Sequence, residues 1–269
     1  MSPDRTLVLI RERSTLELLD LGLLVIRRRP LTLVLWLAAG VWPFVLFNTW
    51  LVGRLDPEAD LPPAYILGLL VGLEAPWATA PLTIVLGGLM FGERPRVGSV
   101  LRTLIRSLPP MLLYQGLARA ALLGCCFPIL TPLIFGKQPF FNEVILLERG
   151  RWGAILSRCG DLSRDRGIVL LGRAILAVAA SLLFIAAFSY GMGNLTDLLL
   201  RQDEPLWVEP DLFVDPTTWT IQLGTWLAVG YCGVVRFLSY IDQRIRLEGW
   251  ELELRMKALR ASMEDDDRW

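Results

Sequence analysis

Five long apolar runs, separated by short polar segments, constrain this chain more than any other feature of its sequence. Leu31–Val52 is 22 residues long and has no ionisable side chain. About 20 consecutive apolar residues are enough for a helix to cross the hydrocarbon core of a bilayer. Each other run contains one charged residue: Glu74 in 61–91, Arg119 in 108–136, Arg173 in 168–195 and Arg236 in 217–241. The pattern predicts an all-α, polytopic transmembrane helix bundle.

The overall composition supports a membrane protein and argues against several other classes. Hydrophobic residues make up 54% of the chain and the mean hydropathy is +0.48, whereas soluble domains contain about 45–50% apolar residues. The net charge is zero, so no binding to nucleic acid is expected. Histidine is absent and the four cysteines show no CxxC spacing. The sequence therefore predicts no catalytic site, no bound metal and no cofactor.

The distribution of arginine predicts which side of the membrane each polar segment occupies. Arginine and lysine in short loops stay on the cytoplasmic side, whereas acidic residues have little effect on orientation. The segments before the first run and after the second, third and last runs are rich in arginine, so we expect them to be cytoplasmic. The segments 53–62 and 193–216 contain one arginine each and nine carboxylates between them, and we expect them to be external. Both termini are therefore predicted to be cytoplasmic.

The segment between Arg106 and Arg149 must then cross the membrane an even number of times, because both of its ends are predicted to be cytoplasmic. Leu108–Leu147 has 40 residues, just enough for two crossings of about 20 residues each. Helix-breaking residues interrupt it near the middle, as a hairpin or re-entrant loop requires, at Pro128, Pro132, Gly136 and Pro139. We predict six membrane segments, the third and fourth short or re-entrant. Four full spans with a re-entrant pair is the alternative.

Two short amphipathic helices are predicted outside the apolar runs. Ser14 and Glu17 have the spacing of a capping box, and an apolar stripe follows at helical spacing until Pro30, formed by Leu16, Leu19, Leu23 and Ile26. This helix is expected either to lie at the cytoplasmic interface or to dock on the protein's own bundle. A weaker stripe, formed by Ile155, Cys159 and Leu162, predicts a second interfacial helix over 153–163.

The last apolar run is predicted to continue beyond Tyr240 as a charged helix. Opposite charges recur there at i,i+4 spacing, beginning with Asp242 and Arg246. This helix is expected either to be solvated or to dock a protein partner through Leu252, Met256 and Leu259. We therefore divide the chain into a cytoplasmic N-terminal segment (1–30), a transmembrane domain (31–241) and a cytoplasmic charged helix with an acidic tail (242–269).

Glu74 and Arg119 form a candidate intramembrane polar site, because ionisable residues within apolar spans are costly and are usually functional. Both are expected near mid-depth, so they either pair with each other or have separate partners or water-filled cavities. Small residues at four-residue spacing allow helices to approach closely, as at Gly224 and Ala228. Such packing occurs within one molecule or at a homodimer seam, so a homo-oligomer is left open.

Two stretches carry a family resemblance. The runs EVILLERGRWGAILSRCGDLSR (143–164) and YIDQRIRLEGWEL (240–252) resemble motifs of a broad bacterial membrane family. That family includes the membrane domains found ahead of some glycerophosphodiester phosphodiesterases, together with stand-alone relatives of unassigned function. The resemblance implies a location in the bacterial cytoplasmic (inner) membrane but no phosphodiesterase activity here. Its candidate motif residues are Glu148, Arg158, Asp242, Arg244, Arg246 and Glu248.

The leading functional hypothesis is a non-enzymatic membrane component that binds a protein partner or organises a membrane complex through its cytoplasmic helices. The absence of histidine and of any P-loop or dinucleotide-type glycine pattern supports it. The alternative is a small-molecule or lipid transporter that uses Glu74 and Arg119. An intramembrane enzyme is the weakest hypothesis, since no carboxylate pair or nucleophile with a base has catalytic spacing.

Overall fold

The computed structural model describes residues 14–54, 63–90, 96–117, 140–148, 152–164, 166–200 and 219–248. Every regular element within these ranges is a helix, so the predicted all-α fold is confirmed there. The helices are α1 (Thr15–Arg28), α2 (Pro30–Val52), α3 (Pro63–Ala78), α4 (Ala80–Met90), α5 (Val97–Met111), α6 (Phe141–Glu143), α7 (Trp152–Ser163), α8 (Gly167–Leu200) and α9 (Trp219–Glu248). Wider π-helical turns extend α5 over Leu112–Leu117 and α6 over Val144–Glu148.

Among the described residues, four helical segments are long and apolar enough to cross a membrane. They are Pro30–Val52, Ile66–Met90, Gly167–Leu195 and Trp219–Leu247. The second of them consists of α3 and α4, which join at Thr79. Most of the predicted third and fourth membrane segments falls on 118–139, outside the described residues, so the structure gives four candidate spans where six segments were predicted.

Helices α4 and α9 form the centre of the bundle. Ala80, Leu82 and Val85 of α4 are completely or almost completely buried, because α2, α5, α9 and the turn after α6 surround this helix. Helices α2 and α8 lie outside and expose large apolar side chains such as Leu31 and Leu183. Extended apolar surfaces of this kind mark contacts with membrane or protein, as expected for lipid-facing helices.

Helix α2 runs antiparallel to α9. Near the start of α2, Leu37 packs on Gly230, and further along it the ring of Phe44 stacks on Trp226 with 6.4 Å between the ring centroids. The start of α2 therefore lies at the same end of the bundle as the C-terminus of α9.

The same end also holds the start of α8 and the end of α4. Helix α8 is antiparallel to α9, since Arg173 contacts Asp242 whereas Ile185 lies beside Gly224. Helices α3 and α4 are antiparallel to α2. Gly40 of α2 contacts Ala78 at the α3–α4 junction, whereas Asn48, further along α2, contacts Glu74, which comes earlier in α3. We call this end of the bundle, marked by Arg29, Met90, Gly167 and Glu248, the charged end.

Helix α1 has the predicted capping box but a different buried face. Ser14 Oγ accepts a hydrogen bond from the Glu17 backbone, and the Glu17 side chain accepts one from the Ser14 backbone. Leu18, Gly22 and Val25 are buried, and Gly22 lies against Val235 and Tyr231 of α9. Two residues of the predicted stripe instead point outward, Leu16 (67% exposed) and Leu23 (58% exposed), whereas Ile26 packs against the core. The helix thus docks on its own bundle through one face and presents another apolar face to the surroundings.

Helix α7 uses its predicted stripe for internal packing. Ile155, Cys159 and Leu162 are almost completely buried in the main apolar core. The seam between α8 and α9 is also internal, since a Cβ placed on Gly224 would lie 3.1 Å from Phe188 Cδ1. At Gly68 and Gly72, a second pair at four-residue spacing, such a Cβ would meet no described heavy atom within 4 Å, so no close helix approach to these two positions is seen among the described residues.

Candidate functional site

The first group of charges at the charged end is centred on Asp242. Both terminal nitrogens of Arg173, Nη1 and Nη2, lie 3.1 Å from Asp242 Oδ2. Arg173 also donates to Ser239 Oγ at 3.0 Å and to Thr15 Oγ1 at 3.3 Å. Because Thr15 begins α1, Arg173 lies near the start of α8 and Asp242 lies near the end of α9, this one guanidinium joins three helices.

Asp242 is further neutralised within its own helix. Arg246, one turn later, donates from Nε to the same Oδ2 atom at 3.1 Å. This confirms the predicted i,i+4 pair. Asp242 is only 2% exposed, and a buried carboxylate of this kind needs compensating charges and hydrogen bonds. Arg173 and Arg246 supply both.

The second group is centred on Glu148 at the end of the turn that follows α6. Its Oε2 accepts from Arg158 Nε of α7 at 2.8 Å, and its Oε1 accepts from the Tyr240 hydroxyl of α9 at 2.7 Å. Arg244 approaches the same carboxylate, with Nε 3.9 Å from Oε1, and donates to the Tyr240 oxygen at 3.3 Å. Glu148 therefore joins α7 and α9 to the chain segment 140–148.

A third group lies one to two turns deeper along α9. Arg236 Nε donates to Glu143 Oε1 at 2.8 Å, and Arg236 Nη2 donates to Thr79 Oγ1 at 3.2 Å. Glu143 is completely buried and its Oε2 has no hydrogen-bond partner among the described residues. Thr79 marks the α3–α4 junction, so Arg236 ties α9 to both α6 and the second candidate span.

Neutral polar side chains connect the turns after α5 to α6 and α3. Gln115 Nε2 donates to Asn142 Oδ1 at 2.9 Å, and Asn142 Nδ2 donates to the Pro76 carbonyl at 2.7 Å. Gly116 faces Trp77 nearby. Three separate stretches of chain thus meet at one depth along α3.

Glu74 lies apart from these groups. Asn48 Nδ2 of α2 donates to Glu74 Oε2 at 2.8 Å, and both side chains are buried. Arg119, the partner considered from the sequence, falls outside the described residues. The structure therefore supplies a neutral neighbour for Glu74 and does not test the Glu74–Arg119 pair.

Cys159 is buried beside two of these carboxylates. Burial, with a smaller contribution from Glu143 and Glu148, raises the pKa of its thiol to about 12, although Arg158 acts in the opposite direction. A thiol is nucleophilic only as the thiolate. Cys159 is thus a packing residue of α7, in line with its place in the apolar core.

The two stretches that carry the family resemblance meet at the charged end. Glu148, Arg158 and Arg244 share one cluster, whereas Asp242 and Arg246 belong to the neighbouring Arg173 group. Glu248 ends α9, and its side chain is not described. Leu252, Met256 and Leu259 lie outside the described residues, so their docking role is untested.

Four residues of these polar groups were not predicted from the sequence: Arg173, Arg236, Glu143 and Asn48. Arg173 and Arg236 were visible as the single charges of their apolar runs, the same signal that selected Glu74 and Arg119. Glu143 and Asn48 gave no such signal, because only the fold brings them to their partners.

The charges of the site are directed at one another, so the arrangement holds helices together. Within the described ranges, no group of three or more histidine, cysteine, aspartate or glutamate side chains could hold a metal ion. No protein-family model, no curated protein and no solved structure matches this chain.

Proposed function

We propose that this chain is a non-enzymatic integral membrane protein that organises a bacterial membrane complex by binding a protein partner at its charged end. The observation that carries the proposal is the pair of ion-pair groups around Asp242 and Glu148, which fasten α1, α7 and α8 to the last turns of α9. Residues 249–269 continue directly from those turns. A fastened α9 terminus would give that segment a fixed starting point from which to present Leu252, Met256 and Leu259.

The proposal includes a location and a topology. The charged end is cytoplasmic, the protein belongs to the bacterial cytoplasmic membrane, and Leu108–Leu147 forms a short or re-entrant pair of segments. The arginine-rich segments support this orientation, and the meeting of Gln115 with Asn142 beside Pro76 supports a chain that enters the bundle and returns. The resemblance to the membrane domains of glycerophosphodiester phosphodiesterases is part of the same proposal.

The partner role is tested by separating insertion from binding. The variant replaces the three apolar residues Leu252, Met256 and Leu259 by serine. The control replaces three charged neighbours by serine, namely Glu253, Lys257 and Arg260. Both proteins are purified in mild detergent, and co-purifying proteins are identified by mass spectrometry. We expect the apolar variant to lose a protein that the wild type and the control retain. Unchanged partners would contradict docking through this face.

The orientation is tested by labelling single cysteines in a cysteine-free background. Cysteines at Glu58 and Glu209 should react with a membrane-impermeant thiol reagent in intact cells, whereas those at Arg102 and Arg158 should react only after permeabilisation. Labelling at Arg158 without labelling at Glu209 would mean that 108–147 crosses an odd number of times.

A transporter is the second candidate, and the buried Asn48–Glu74 contact within two candidate spans favours it. Purified protein in liposomes should then show solute or ion flux that Glu74→Gln changes while its unfolding temperature stays normal. Equal flux in protein-containing and empty liposomes, across the solutes and ions tried, would count against this candidate.

A further inference from the structure

Glu74 is a buried carboxylate, and the described helices that pack most extensively on its own helix carry no cation. Helix α3, which carries Glu74, packs mainly on α2, α4 and the turn Leu112–Leu117. None of these three elements contains a lysine or an arginine, and their other titratable residues are Tyr65 and Tyr114. Asn142 of α6 also reaches α3, and the charge of the adjacent Glu143 is paired with Arg236 of α9. Tyr114 stacks on Phe141 with ring centroids 5.7 Å apart. An isolated ionised carboxylate in an apolar interior is strongly disfavoured and tends to become neutral instead.

The amide beside Glu74 has an unused acceptor. Asn48 is only 1% exposed, and its Nδ2 donates to Glu74 Oε2 at 2.8 Å. Its Oδ1 atom is buried and has no hydrogen-bond partner among the described residues. A buried polar atom without a partner is costly, and an ionised carboxylate cannot supply a hydrogen because it only accepts.

A protonated carboxyl group resolves both problems at once. It has one O–H donor and keeps an acceptor oxygen, so it can form two hydrogen bonds with a primary amide in a closed ring. The existing Asn48 Nδ2 to Glu74 Oε2 bond is one side of that ring. A proton on Glu74 Oε1, donated to Asn48 Oδ1, completes the other side. The uptake is a simple addition, in which the carboxylate and one proton give a neutral acid.

We propose that Asn48 and Glu74 form a proton-binding site between α2 and α3, occupied at neutral pH. A metal cation fits the described surroundings less well, because hard cations such as Mg²⁺ and Ca²⁺ take six or more oxygen ligands. The site does not depend on the partner-binding role proposed above, and it exists whether or not the protein transports a solute.

Infrared spectroscopy of the purified protein at pH 7 tests the site directly, since a neutral carboxyl group has a carbonyl-stretching band distinct from that of a carboxylate. The wild type should show a protonated-acid band that moves on exchange into D₂O and disappears in Glu74→Gln. The control is Glu143→Gln, which removes another buried glutamate, one that is ion-paired with Arg236. The band should persist in that control.

Thermal unfolding in the same detergent provides a second readout. Glutamine can form the same two hydrogen bonds with Asn48 as a neutral glutamate, so Glu74→Gln should keep the wild-type unfolding temperature. The proposal is overturned if the wild type lacks the band and Glu74→Gln lowers the unfolding temperature, and if the combined Glu74→Gln and Arg119→Met variant loses less than the sum of the two single losses. That result would identify an ionised Glu74 paired with Arg119. Absence of the band together with stabilisation by added Na⁺ would identify a metal-cation site and would also overturn it.

Discussion

The Arg173–Asp242 ion pair should contribute more to stability than any partly exposed pair at the charged end. Replacing Arg173 with methionine keeps the apolar stem but removes the charge. The Asp242 carboxylate then loses two donors, and Ser239 and Thr15 lose one each. Removing one partner of a buried pair costs about 3–5 kcal/mol, because it leaves an uncompensated charge in the interior.

The magnitude should fall at the lower end of that range. Arg246 still donates to Asp242 Oδ2 at 3.1 Å, so the carboxylate keeps one cation after the substitution. We therefore expect Arg173→Met to lower the free energy of unfolding by about 3 kcal/mol. Arg158→Met is the control, since Arg158 is 35% exposed in its pair with Glu148. The control should lose less, about 1 kcal/mol, because Arg158 is partly exposed to solvent and Glu148 keeps Tyr240 and Arg244 beside it.

The assay is reversible unfolding by SDS in mixed micelles, followed by circular dichroism. The double variant Arg173→Met with Asp242→Leu extends it, because replacing both partners of a buried pair by apolar residues is often nearly neutral. We expect the double variant to lose less stability than the sum of the losses in Arg173→Met and in Asp242→Leu, although Arg246 also loses its contact with Asp242 there. The reasoning is refuted if Arg173→Met loses no more than Arg158→Met, or if the double variant loses the sum of the two single losses.

Two further predictions use glycine packing and cysteine reactivity. A Cβ on Gly40 would overlap the carbonyl oxygen of Ala78, which is backbone and cannot swing away, so Gly40→Ala should lower the free energy of unfolding by about 1–3 kcal/mol. Gly68→Ala, with open space around the new Cβ, should not destabilise the same helix bundle in the same SDS titration. Cys159 should resist a thiol reagent at pH 8, because burial raises the pKa of its thiol and keeps it protonated, whereas a cysteine at the exposed Asp161 should react quickly at the same pH. Equal rates at the two positions would contradict the burial of Cys159.

The spans were predictable because membrane insertion depends on local composition. Each span lies mainly on one long apolar run that contains at most one charged residue, and its signal needs no knowledge of the neighbouring helices. The boundary between α1 and α2 could also be predicted from nearby sequence, since a capping box begins the first helix and Pro30 begins the second. The buried face of α1 could not be predicted from nearby sequence. Leucines occur on two sides of this helix, and only contact with Tyr231 and Val235 of α9 selects Leu18, Gly22 and Val25.

The charged site was predictable only where its pairs lie within one helix. The Asp242–Arg246 pair follows from spacing along the chain. The partner of Asp242 on α8 does not, because Arg173 is separated from it by 69 residues and no spacing rule connects them. Glu148 and Arg158 were singled out by resemblance. The contact of Glu148 with Tyr240 came from the packing of the 140–148 segment on α9.

The fold also bears on how often the chain between α4 and α8 crosses the bundle. That chain leaves α4 at Met90 and enters α8 at Gly167, and both positions lie at the charged end, so its number of complete crossings is even. Gln115 lies beside Asn142 at the depth of Pro76, which is about 20 Å along the helix axis from Met90 at a rise of 1.5 Å per residue. The return leg then brings Glu148 back to Tyr240 near that end. Both legs therefore reach about 20 Å into the bundle from the charged end. In a hydrocarbon core of about 30 Å, this depth is compatible with either predicted form, two short crossings or a re-entrant pair.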